Sequence, residues 1–292
     1  MDAPSLPGIL YLVPTPIGNL DDITLRALAV LRGAALVLAE DTRTARHLFD
    51  RHAIHTPLLS YTEHNHPRRL PQVLERLRAG DTVALISEAG TPAISDPGAA
   101  LVRAVWEAGG RVCGLPGPSA VTLAMAVSGF AGGFTFLGFL PRQGGERRAL
   151  LQREGGSGHA LVAFETPHRL RAALTDIAAV LGDRPLCVCR ELTKLHEEIF
   201  RGTATEALAR FTAPRGEFTL VIAAAPPLRP EEETGTDALE RFLAERRATG
   251  ARARDAVAEA MARFGVPRRV AYDTWTRTLP GSSLPRPRRS EE

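Results

Sequence analysis

The chain has 292 residues and a formal charge of +3, which at about 150 residues per domain points to about two domains. With 44% hydrophobic and 24% charged residues it can bury a sizeable core, which excludes a disordered or collagen-like chain. Three cysteines cannot form a disulfide framework, and an odd count suits a reducing compartment, so a cytoplasmic protein is expected.

In chain order, the N-terminal MDAPSLPGILYLV carries Asp2 where a signal peptide needs positive charge, and its apolar run breaks at Pro14 and Pro16, which argues against secretion. Apolar runs predict strands over 10–13, 35–39, 82–87, 111–115, 135–139, 160–165, 186–190 and 218–223. Helical patterns lie between them over 23–31, 42–51, 70–78, 99–108, 119–128, 168–181 and 205–211. Runs such as ILYLV and ALVLA are continuous rather than alternating, which is how strands covered on both faces read. The alternation predicts an α/β fold with largely parallel sheets. A break at 132–145 divides it into two α/β domains, 1–131 and 132–225, with a cleft between them. The uncharged stretch from Val112 to Pro141 is long enough to span a bilayer. Pro116, Pro118, Gly129, Gly132, Gly133 and Gly138 divide it into a turn, a short helix and a strand, so a buried core and no membrane segment is the expectation.

The proline-rich, acidic segment after Ala225 reads as a linker, 226–235. Beyond it, a helical tail, 236–292, shows periodicity over 236–246, 252–264 and 270–275. Between Arg241 and Arg289 twelve arginines stand against Glu245, Asp255, Glu259 and Asp273, a local excess of +8. A basic segment on a nearly neutral body suggests a polyanionic partner, nucleic acid ahead of membrane. Only Lys194 among the 36 basic residues is lysine; arginine forks suit phosphates, and a GC-rich coding bias gives the same composition.

Four glycine- and proline-rich turns follow predicted strands: PTPIGN (14–19), SEAGTPAISDPG (87–98), PGPSA (116–120) and GFLPR (138–142). In open α/β sheets ligands bind beyond the carboxyl ends of strands, where such turns let backbone approach the ligand. Ser119 also stands where a helix N-terminus offers free N–H groups. The dinucleotide glycine fingerprint, the P-loop and the GxSxG elbow are all missing. His64 and His66 in EHNH read as solvated loop. Cys187 and Cys189 in CVC are expected to pack into the core from opposite faces of a strand, so no metal site is expected.

Carboxylates gather at strand ends in AEDTR (39–43), FETPHR (164–169), RELTK (190–194) and GEF (216–218). A strand-end carboxylate facing a cleft can bind a hydroxyl or take a proton, while Arg43, Arg169, Arg190 and Lys194 can neutralise phosphates. Structural ion pairs would account for the same residues.

Taken in order, LYLVPTPIGNLDDITLRAL, LAEDTR, SEAGTPAISDPG, GLPGPSA, GFLPR, FETPHRL and RELTK resemble the tetrapyrrole-methylase-like (class III) S-adenosylmethionine methyltransferases. Within that superfamily the chain is similar to the ribosomal RNA small-subunit methyltransferase I family, from about Ile9 to Ala223, and its basic tail resembles that family's C-terminal extension. The family commonly reads SDAGTP, whereas Glu88 stands here for the aspartate. The resemblance implies a two-domain tetrapyrrole methylase-like fold with the cofactor in the inter-domain cleft, a small C-terminal helical module, and a homodimer. It implies methylation of the ribose 2′-oxygen of a cytidine in the decoding region of 16S rRNA, free or within the 30S subunit. By similarity Pro16, Gly90, Thr91, Ile94, Ser119 and Ala120 line the S-adenosylmethionine site from the first domain, and Phe164, Glu165, Leu192 and Phe218 close it from the second. Arg43, Arg142, His168, Arg169 and Arg190 are candidate RNA contacts. Glu165 or Glu217 is the candidate for orienting the reacting hydroxyl, with Lys194 as the alternative because burial lowers a lysine pKa. Two other readings stay open: a small-molecule methyltransferase of the tetrapyrrole or diphthamide branches, and a non-enzymatic ribosome-assembly factor.

Overall fold

The computed structural model describes residues 6–225 and 236–277. The chain forms two compact units, Met1–Ala225 and Pro226–Glu292. The linker expected at 226–235, and the tail beyond Arg277, lie outside the described residues.

In the larger unit, β1 (Ile9–Leu12), β2 (Leu36–Ala39), β3 (Leu58–Ser60), β4 (Thr82–Leu85) and β5 (Arg111–Gly114) form one sheet in the order β3-β2-β4-β1-β5, with every pair parallel. Val37, Ala39, Ala84 and Ile86 enter one core with Leu28 and Leu31 of α1 (Leu25–Gly33) and Leu48 and Phe49 of α2 (Thr42–Arg51). The alternate residues Leu36, Leu38, Val83 and Leu85 enter another, with Val73 and Leu77 of α3 (His66–Arg78) and Leu101 and Val105 of α4 (Ala99–Glu107). Side chains alternate across a strand, so burial on both faces makes both phases apolar and the run continuous.

The second sheet contains β6 (Phe134–Phe139), β7 (Ala160–Glu165), β8 (Leu186–Arg190), β9 (Glu198–Gly202) and β10 (Phe218–Ile222) in the order β6-β7-β10-β8-β9. Only β6 and β7 run parallel; β10 is antiparallel to β7 and β8, and β9 to β8. The largely parallel arrangement expected from the sequence is therefore wrong for this half. For β9 the physical reason is connection length: residues 191–197 between β8 and β9 are too few for a parallel crossover, which needs about a dozen.

Three elements escaped the sequence pattern. β3 and β9 are short or half-exposed edge strands, and β9 (EIFRG) buries no residue fully. The third, α6 (Gly144–Glu154), opens on two glycines and has Ala149, Leu150 and Leu151 in one consecutive block, so no helical period is visible. Tertiary contact holds it instead: the buried Arg147 donates from Nε to Asp176 Oδ2 at 2.7 Å on α7 (Pro167–Leu181). Helix α5 (Ala120–Ser128) follows the first sheet in sequence but packs Val121 and Ala124 against Val162, Cys187 and Val221 of the second. By packing it belongs with the second sheet, ahead of the break read at Gly132.

The smaller unit holds α9 (Thr236–Ala248), α10 (Ala253–Phe264) and α11 (Arg268–Arg277), numbered after α8 (Ala204–Arg210) of the larger unit. Leu239, Phe242, Leu243, Val257, Ala260, Ala271 and Trp275 form its core. Arg247 lies over the Trp275 ring at 4.0 Å, and Arg246 pairs with Glu259 at 2.6 Å, so part of the basic excess is structural. Arg252, Arg268 and Arg269 are exposed. No helix among the described residues is long and apolar enough to cross a membrane.

Candidate functional site

The turns at the carboxyl ends of β1, β4 and β5 are tied to one another. Thr15 and Gly90 exchange backbone hydrogen bonds of 2.9 Å each way. The Thr15 hydroxyl donates to the Ser87 carbonyl at 3.1 Å and the Ser87 hydroxyl to the Gly90 carbonyl at 2.9 Å. Thr91 Oγ1 donates to the Pro118 carbonyl at 3.3 Å. Gly90 has φ +81, a conformation that favours glycine. Ser119 caps α5 without a side-chain cap hydrogen bond, so the first-turn N–H groups of that helix stay available to a ligand.

These turns face the ends of β7, β8 and β10 across a cavity of about 390 Å³, within the size range of small-molecule sites. The first-half wall contributes Gly90, Thr91, Ile94, Asp96 and Ser119, and the second-half wall Phe139, Phe164, Glu165, Leu192, Glu217 and Phe218. The halves also dock through the PIGN turn. Asn19 N–H donates to Thr193 Oγ1 at 3.1 Å, and a Cβ at Gly18 would overlap the Lys194 side chain and the Leu192 carbonyl.

Four carboxylates line this cavity, in different environments. Glu165 is buried; Oε1 accepts the Thr166 N–H at 2.7 Å and pairs with Arg169 at 2.8 Å. Its Oε2 is shielded and has no hydrogen-bond partner. Burial pushes the Glu165 carboxyl up, against the Thr166 and Arg169 contacts that favour its charge. Glu217 is largely exposed and pairs with Lys194 Nζ at 2.9 Å. Glu88 is exposed. Asp96 is half-buried, and burial together with the neighbouring charges of Glu40 and Glu88 pushes its carboxyl up to about 6.

Two expectations are corrected. Cys187 and Cys189 share one face of β8, with Sγ atoms 3.8 Å apart, because residues two apart on a strand point the same way; Cys189 lines the cavity. Lys194 is not a lysine of depressed pKa. Burial would lower it, but hydrogen bonds to Glu217 and Glu191 outweigh that and hold it above its ordinary value, so it stays a cation.

Residues 9–208 match the family model described as Tetrapyrrole (Corrin/Porphyrin) Methylases. A ribosomal RNA small subunit methyltransferase I of Thermotoga maritima is 49% identical over 218 residues, covering 74% of this chain and 98% of its own length. One of Bacillus subtilis is 40% identical over 278 residues, 92% of this chain and 94% of its own. The chain belongs to the ribosomal RNA small subunit methyltransferase I family. Two solved structures share the fold of this family member. A cobalt precorrin-4 methyltransferase covers 74% of the chain and 94% of itself, with TM-score 0.56 and 17% identity. A uroporphyrin III C-methyltransferase from Thermus thermophilus covers 74% and 97%, with TM-score 0.54 and 19% identity.

In this methyltransferase-family chain the structure gathers Gly90, Thr91, Ile94, Ser119, Ala120, Phe164, Leu192 and Phe218 on one cavity, together with Glu165 and Glu217. Pro16 is buried between Thr15 and Ile17 and does not line it. Lys194 stands one contact behind, through Glu217. The basic residues scatter. Arg43 is exposed and pairs with Asp41 at 3.1 Å, while Arg142 and His168 are exposed. Arg190 donates to the Arg215 carbonyl at 2.7 Å, and Arg169 is spent on Glu165 and on the Leu140 carbonyl at 2.9 Å. Sequence reasoning missed Asp96. Its signal is the SDPG that ends the longest of the four turns, where the sequence points to backbone approaching a ligand and gives the carboxylate no mark of its own.

Proposed function

We propose that this chain transfers a methyl group from S-adenosylmethionine to the ribose 2′-oxygen of a cytidine in the decoding region of 16S rRNA, within the 30S subunit or free. Family membership supports methyl transfer, and the names of the relatives support ribosomal RNA as the acceptor. The observation that carries the reading is the cavity between the two sheets. Its turns offer backbone and small residues on one side, and Phe164, Leu192 and Phe218 offer apolar surface on the other, which fits a molecule that is part adenosine and part amino acid. Gly90, Thr91, Ile94, Ser119 and Ala120 would hold it from the first half and Phe164, Leu192 and Phe218 from the second, with Pro16 supporting the turn behind. When bound, S-adenosylmethionine supplies an electrophilic methyl on sulfur. The chain's own task is to bring a weakly acidic hydroxyl close to that methyl and receive its proton.

Exposed Arg43, Arg142 and His168, with the basic helical unit, supply phosphate contacts on this reading. A homodimer and a cytoplasmic location belong to the same reading, the former checked by the mass of the native particle. The deciding experiment is transfer of a labelled methyl to 30S subunits lacking the modification, with mass mapping of the labelled nucleotide. A 2′-O-methylcytidine in the decoding region is expected. Cofactor binding without incorporation into 30S subunits or free rRNA would favour the small-molecule branch, and no cofactor binding would favour the assembly factor.

A further inference from the structure

Resting on the reading above, we infer that the exposed side of α11, with Arg268, Arg269 and Tyr272, is an RNA-binding surface that holds an unpaired strand of the ribosomal RNA by its phosphates and one stacked base. The other side of α11 serves the fold: Ala271, Thr274 and Trp275 are buried, and Ala271 and Trp275 join the core of the smaller unit. At 3.6 residues per turn, Arg268, Arg269 and Tyr272 share one stripe of the exposed side, three and four residues apart. Asp273 is the single carboxylate of this helix. Helices α10 and α11 are joined only by Gly265, Val266 and Pro267, with Gly265 at φ +62. In helix-turn-helix units a pair joined this tightly presents its second helix to nucleic acid.

The arginines of this unit divide by what holds them. Like Arg246 and Arg247, Arg254 has a partner in Asp255, Arg263 lies over the Phe242 ring, and Arg277 pairs with Glu240 at 3.6 Å. Arg268 and Arg269 are exposed, and their side chains have no partner among the described residues. They also stand where they work against the helix: they open α11, whose first turn has no acidic residue, at the end where the helix dipole disfavours cations. Fold stability gives no reason for the pair, whereas a polyanion neutralises both charges. Tyr272, one turn on, is 52% exposed and offers a ring face to a base. The two residue types together suit RNA, whose unpaired bases stack on aromatic rings while arginines take the phosphates; the deep, narrow major groove of an RNA duplex admits no side-chain readout. An anionic membrane would meet the same arginines, but lasting attachment of a helix to a bilayer needs an apolar face to insert. Here Ala271 and Trp275 are already buried in the core.

The test compares the full-length wild type with the double variant Arg268→Ala/Arg269→Ala and with Tyr272→Ala and Tyr272→Phe. Binding of a fluorescein-labelled unstructured RNA oligonucleotide, of duplex DNA and of vesicles containing anionic phospholipid is measured over a range of salt. Calorimetric binding of S-adenosylhomocysteine, thermal melts and methyl transfer to unmodified 30S subunits are measured beside it. The double variant should lose about tenfold or more in RNA affinity and show a salt slope shallower by about 1.4. Tyr272→Ala should lose about tenfold with its slope unchanged, while Tyr272→Phe keeps the wild-type affinity, because the ring and not the hydroxyl stacks. Melting midpoints and S-adenosylhomocysteine affinity should stay at the wild-type values, and the loss should fall on KM for 30S subunits rather than on kcat. The assignment is overturned if the double variant keeps both RNA affinity and slope, if Tyr272→Ala binds RNA as Tyr272→Phe does, or if the losses fall on duplex DNA or on vesicles and spare RNA. Methyl transfer by wild type, with RNA binding untouched by these variants, would remove this surface and leave the functional reading standing. No methyl transfer by wild type, with RNA binding that still depends on these residues, would remove that reading and support the surface.

Discussion

The two walls of the cavity are built by opposite means. The first-half wall is mainly main chain: three turns at the ends of parallel strands, tied through Thr15, Gly90, Ser87 and Pro118. The second-half wall is mainly side chain, with aromatic rings and carboxylates at strand ends, braced by Arg169 on Glu165 and by Arg147 on Asp176 behind them. A main-chain wall is sensitive to what fills the space beside it, whereas a side-chain wall is sensitive to losing one partner of a pair.

The largest effect should fall on the second half. Asp176→Asn leaves Arg147 buried without its counter-charge and should cost about 3 kcal/mol in urea unfolding at neutral pH. Burial opposes the Asp176 charge, but hydrogen bonds from Arg148 and Arg147 outweigh it and hold the carboxyl below its ordinary value. Stability from this group is therefore present at neutral pH and lost as pH falls through the folded pKa, so wild type and variant should converge in acid. No convergence would show that α6 is held by something other than this pair.

On the first half the sensitive position is a glycine. Gly18→Ala should push the PIGN turn away from Leu192 and Lys194, costing about 1–3 kcal/mol and weakening cofactor binding, read by calorimetry. Unchanged binding would mean that the cavity tolerates a shift between its walls.

A smaller effect of opposite sign is expected at Asp96. Its folded pKa of about 6 lies above the ordinary 3.8, so its charge destabilises the fold above about pH 6 and ceases to matter once the unfolded chain is also protonated. Asp96→Asn should therefore raise stability at pH 7.5 by about 1 kcal/mol, allowing for screening by water at a half-exposed group, and by less at pH 4.5. Thermal melts at the two values check this. The smallest effect belongs to Arg43→Ala, an exposed residue paired among the described residues only with its neighbour Asp41. The melting midpoint should stay unchanged, and the salt dependence of RNA binding should lose about one unit of slope if Arg43 touches a phosphate.

Legibility differed between the same two regions. The parallel half was readable because Leu36–Ala39 and Thr82–Leu85 are buried on both faces and so announce themselves as apolar runs. In the other half, β9 (EIFRG) is a short edge strand with two charged residues and none fully buried, and α6 has no periodic stripe, so neither carries a local signal. Among site residues, Gly90, Thr91, Ser119 and Ala120 came with their turns, and the order of motifs pointed to the methyltransferase family. Asp96 was passed over because an aspartate before Pro-Gly is ordinary turn chemistry.

The sequence by itself determined which segments form the buried strands, where the turns fall and which family the chain belongs to, because these follow from local burial patterns and ordered motifs. Only the tertiary structure decided the antiparallel course of β9 and β10 and the attachment of α5 to the second sheet. It also decided the fates of the charged residues: Arg169 spent on Glu165, Lys194 held as a cation by two glutamates, Asp96 left among like charges. Charge state and availability depend on distances between residues far apart in the chain, through burial and Coulomb interactions that no local pattern encodes.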